Sequence, residues 1–73
     1  MTLETEYKCT VSSRVFGDVV GKLNRYGALM LELKDIGEMN EVRFKIGAQG
    51  FANFTQWLSS QPNINSKTTI QPI

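Results

Sequence analysis

Apolar positions recur along this chain with two periods, and the period changes four times. From Leu3 to Val11 it is two: Leu3, Thr5, Tyr7, Cys9 and Val11 alternate with Glu4, Glu6, Lys8 and Thr10. Such alternation predicts a strand with one buried and one wet face. Phe16, Val19, Val20 and Leu23 then stand at i, i+3, i+4 and i+7, one stripe of an amphipathic helix. Ser12 or Ser13 is placed to cap its start, and Gly27 to close it in a left-handed turn. Period two returns over Ala28 to Lys34, with Leu29, Leu31 and Leu33 expected inward and Met30, Glu32 and Lys34 outward. The polar run from Asp35 to Glu41 predicts a hairpin loop. Val42, Phe44 and Ile46 are the inward residues of a third strand, and Arg43 and Lys45 its outward ones. Gly47-Ala48-Gln49-Gly50 reads as a strand-to-helix turn. Phe51, Phe54, Trp57 and Leu58 form a second helical stripe, ended at Gln61-Pro62 because the residue before proline avoids the helical region. Ile64 to Ile73 alternates loosely and is expected as a fourth strand, with Asn65, Lys67 and Thr69 outward. Pro72 suits a sheet edge or a frayed end.

The order strand, helix, strand, strand, helix, strand predicts an α+β fold. It is the ferredoxin-like βαββαβ sandwich, a single domain over residues 1–73. Right-handed crossovers give a four-stranded antiparallel sheet of order 4-1-3-2 with both helices on one face. The second strand is then an edge, guarded against pairing only by Glu32 and Lys34. Gly17 and Gly21 each cost roughly 1 kcal/mol of helix propensity. They are expected where the helix lies too close to the sheet for a Cβ.

Composition narrows the chemistry. The chain has 73 residues, no histidine and one cysteine, with eight Lys and Arg against seven Asp and Glu for a net charge of +1. The usual general base, metal ligand and pH switch are therefore missing. Cys9, on an inward position, reads as a small core residue. Glu4 and Glu6 share one strand face, but two exposed carboxylates do not acquire split pKa values. No catalytic residue, metal or cofactor is expected, and the chain is read as no enzyme. A polar, acidic start and no apolar run near the ~18 residues of a membrane span predict a cytoplasmic protein without a membrane partner. A 73-residue core without staples is marginal, which favours a well-packed interior or self-association.

The outward residues bear on nucleic acid. An RNA-recognition motif stacks bases on aromatics at the centre of strands 1 and 3. Here Lys8, Thr10, Arg43 and Lys45 hold those positions. A phosphate patch of Lys8, Arg43, Lys45 and Lys67 remains, diluted by Glu4, Glu6 and Glu32.

Gly17 stands in the first turn of the first helix, whose free N–H groups suit an anion, with Ser13 and Arg14 beside it. The stretch Arg14-Val15-Phe16-Gly17-Asp18-Val19-Val20 and the junction Leu23-Asn24-Arg25-Tyr26-Gly27-Ala28 resemble ACT-type regulatory domains, also βαββαβ and of similar length. The resemblance implies a ligand near Gly17 at the interface of paired domains. The chain lacks the proline usual before that glycine and the acidic residue before the proline. The leading expectation is a small non-enzymatic binding or regulatory module acting through protein contact. It would be an adaptor, an inhibitor or an ACT-like homodimer, with Met30, Glu32 and Lys34 at a strand-2 interface. The alternatives are a nucleic-acid or ribosome-associated protein using Lys8, Arg43, Lys45 and Lys67, and a small-ligand sensor at Ser13, Arg14 and Gly17.

Overall fold

The alternating segments pair as strands and the stripes pack on them as helices. The computed structural model describes residues 4–73, so the expected inward position Leu3 lies outside the described residues. The elements are β1 (Glu4–Ser12), α1 (Phe16–Arg25), β2 (Leu29–Ile36), β3 (Met39–Gly47), α2 (Ala48–Ser59), α3 (Pro62–Asn65) and β4 (Thr68–Pro72). The four strands form one antiparallel sheet in the order β2-β3-β1-β4. This is the expected 4-1-3-2 read from the other edge, and it is consistent with a ferredoxin-like arrangement. Cys9 and Val11 of β1 and Val42, Phe44 and Ile46 of β3 are fully buried against Val19 and Leu23 of α1 and Phe54 and Leu58 of α2. All five strand residues share one sheet face, so both helices cover that face and the other is open.

Aromatic packing ties α2 to the sheet. Tyr7 and Phe51 stack with ring centroids 4.2 Å apart, and Phe54 meets Phe44 edge-on at 6.5 Å. Gly50 makes this approach possible. A Cβ there would strike the Tyr26 carbonyl oxygen and lie 3.1 Å from Ile46 Cγ1. Gly50 is helical, as α2 begins at Ala48 directly after Gly47, so the expected four-residue turn is absent. Gly17 and Gly21 are the reverse case. A Cβ at either meets nothing within 4 Å, which overturns the close approach expected of them.

α1 ends as expected and starts otherwise. Gly27 has φ +87°. Its N–H donates to the Asn24 carbonyl at 3.2 Å, and the Ala28 N–H donates to the Leu23 carbonyl at 2.9 Å. These two bonds make a Schellman motif. At the other end Val15 occupies the cap position without a side-chain bond. Ser12 and Ser13 do not cap: the Ser12 hydroxyl accepts from the Arg14 N–H within the loop, and the Ser13 hydroxyl donates to the Gly37 carbonyl of the next hairpin.

Two further differences lie in β2 and β4. The β2–β3 register jumps between Met30 and Glu32, leaving Leu31 as an extra residue. This bulge reverses the in-out parity of the strand. Met30, opposite Phe44, packs against the core, while Leu29, opposite Lys45, stands on the open face. The expected inward position of Leu29 and outward position of Met30 are thus exchanged. The residues Ile64 to Lys67, expected as strand, form α3 and the turn after it. Pro62 opens this helical turn, where its missing N–H costs nothing. The Thr68 hydroxyl donates to the Ile64 carbonyl at 2.7 Å, fixing the entry to β4. The expected polar loop shrinks to Gly37 and Glu38, with Gly37 at φ +80°, the glycine-first geometry of a two-residue hairpin.

Candidate functional site

Three regions carry the residues singled out by the sequence. At the start of α1, the Ser13 N–H donates to the Glu38 carbonyl at 2.9 Å and its hydroxyl donates to the Gly37 carbonyl at 3.1 Å. Ser13 therefore clamps the β1–α1 loop to the β2–β3 hairpin. Ser12, Ser13, Arg14, Gly37, Glu38 and Lys67 line an open hollow of about 500 Å³. Gly17 lies outside this lining, exposed on the first turn of α1.

On the open sheet face Lys8 sits opposite Arg43, and Glu6 opposite Lys45. Arg43 Nε bonds Glu6 Oε2 at 3.2 Å. On the far side Glu32 faces Arg43 and Lys34 faces Glu41. Cations and carboxylates thus alternate across the strands, and the like-charge pair Lys8–Arg43 is relieved by Glu6. Lys67, expected on this face, follows α3 and belongs to the hollow near Arg14.

The third region is the β2 edge. Leu29 is 56% exposed, Leu31 39%, Leu33 57% and Ile36 50%. The only other large apolar residue so exposed among those described is Ile73. The cause is coverage: α1 packs chiefly over β1 and α2 over β3, so neither helix lies mainly over β2. Leu33 lies on the helix-side face opposite Val42, yet remains open. An outer strand also leaves N–H and C=O groups without a ladder partner. The expected interface residues divide. Glu32 and Lys34 flank Leu33 on the open face, whereas Met30 turns to the core. Alternation assigns Leu29, Leu31 and Leu33 inward and leaves Ile36 in the hairpin loop, whereas all four are exposed along the strand.

Cys9 is buried without a partner, and burial pushes its thiol up to about 12. It is an inert core residue. Among the described residues no helix is long and apolar enough to cross a membrane, and no three His, Cys, Asp or Glu side chains gather as a metal site. The chain matches no protein-family model and has no significant sequence match among curated proteins.

Proposed function

We propose that this chain is a small non-enzymatic binding or regulatory module that works through protein contact at the β2 edge. The reading takes the sandwich as ferredoxin-like, of the ACT-like regulatory kind. The observation that carries it is the row Leu29, Leu31, Leu33 and Ile36, exposed along a strand that has no outer neighbour among the described residues. Large apolar side chains in a row on a sheet edge favour strand addition, where main-chain bonds give affinity and alternate side chains give specificity. Immobilised protein should retain a partner, a second copy or another chain, that the Leu33→Lys variant releases. Equal retention by both would contradict the reading.

A second reading, small-anion sensing, is favoured by the hollow that joins Arg14, Lys67 and Ser13. Two cations against the single carboxylate of Glu38 leave it net positive. Amide NMR shifts confined to residues 12–14, 37–38 and 67 on titrating small anions or amino acids would support it. No shift at millimolar ligand would remove it.

A further inference from the structure

We propose that the occupant of the β2 edge is a second copy of this chain, paired antiparallel about a two-fold axis at Leu33. The proposal rests on the edge reading above and adds the partner and the register.

Parity restricts the register. Residues opposite each other across a two-fold antiparallel pair must share a sheet face, and faces alternate along the strand. The axis must therefore pass through a residue. In the regular part of β2 after the bulge, an axis at Glu32, Lys34 or Asp35 sets a like charge against itself. An axis at Ile36 runs the partner beyond the hairpin turn at Gly37 and Glu38. An axis at Leu33 sets leucine against leucine and places Glu32 opposite Lys34 of the second copy, twice.

The bulge then helps the match. Skipping Leu31, the next pairs are Met30 with Asp35 and Leu29 with Ile36 of the second copy. Met30 and Asp35 lie on the helix-side face, and Leu29 and Ile36 both lie on the open face, as their β3 partners require. The half-exposed Leu29 and Ile36 cover each other on both sides of the axis. Charges continue the pattern already present within one chain. Glu41 faces Lys34, Lys34 meets Glu32 of the second copy, and that Glu32 faces its own Arg43. Each row reads minus, plus, minus, plus across four strands of a continuous eight-stranded sheet.

Reversing one charge separates this register from any other. The Glu32→Lys variant carries two lysines at the edge, and Lys34→Glu carries two glutamates. Each alone meets two like-charge pairs about the axis, so its dimer should weaken on the order of 10- to 100-fold. An equimolar mixture of the two restores both pairs and should sediment as a dimer at low salt, where exposed charges are least screened. Repulsion within each chain is the same alone and mixed, so it cannot produce the recovery. In the native charge background, Leu33→Cys should oxidise to a covalent dimer, because residues at the axis lie within disulfide reach. Leu29→Cys, equally exposed, should not, as its two copies are some 20 Å apart. Cys9, being buried, does not interfere. Single variants that associate like the native chain, or a mixture no heavier than its parts, would overturn the proposal. If the native chain stays monomeric while partner capture still depends on Leu33, the second copy is excluded and the edge reading stands. A dimer indifferent to Leu33→Lys and to both charge reversals would remove both.

Discussion

β2 and β4 both end the sheet, yet they are built as opposites. β4 is five residues long, carries Thr68, Thr69 and Gln71, and finishes in Pro72, which has no N–H to offer. Its one large apolar residue, Ile70, is half-buried against the core. These are the devices by which proteins blunt an edge. β2 is eight residues long, has no proline and exposes four large aliphatic side chains. Both edges belong to one sheet on one core, so the difference is a property of the strands. An edge left open on so small a core is the surface that the proposed association would cover.

Removing the core that both edges share should erase the difference between them. Phe54→Ala should cost about 3–5 kcal/mol and abolish the urea transition at both edges together. Alkali acts on the same core through Cys9. Its folded pKa is raised from 9.0 to about 12, so the native state keeps a proton that the unfolded chain gives up. Stability is full below pH 9 and falls as pH climbs towards 12. Cys9→Val should flatten this slope in pH-dependent melts. Gly50→Ala forces a Cβ against the Tyr26 carbonyl and should cost about 1–3 kcal/mol. Gly21→Ala, in open space on α1, should stabilise by about 1 kcal/mol. Leu33→Lys and Thr69→Lys, one at each edge, should each leave the monomer within about 0.5 kcal/mol. Only the first should abolish association, measured by sedimentation.

Much of this fold was legible because its signals are local. The alternation in β1 and β3, the α1 stripe and Gly27 needed no tertiary context, and they fix strand order once crossover handedness is imposed. What escaped depends on neighbours. Leu31 becomes a bulge only against β3, and that single residue moves Met30 inward and Leu29 outward. Ser12 and Ser13 looked like caps, but the hairpin turn competes for Ser13. Ile64 kept its apolar role by joining a helical turn after Pro62 rather than a strand. The edge itself was foreseen from topology. Its aliphatic row was not, because a leucine on an uncovered strand has the same spacing as one beneath a helix.

Association should engage β2 and not β4. Amide hydrogen exchange resolved by residue, run at low and at high micromolar protein, tests it most directly. Protection across Leu29–Ile36 should rise with concentration while Thr68–Pro72 exchanges at an unchanged rate. Unchanged exchange in β2, or protection that rises at β4 instead, would contradict it.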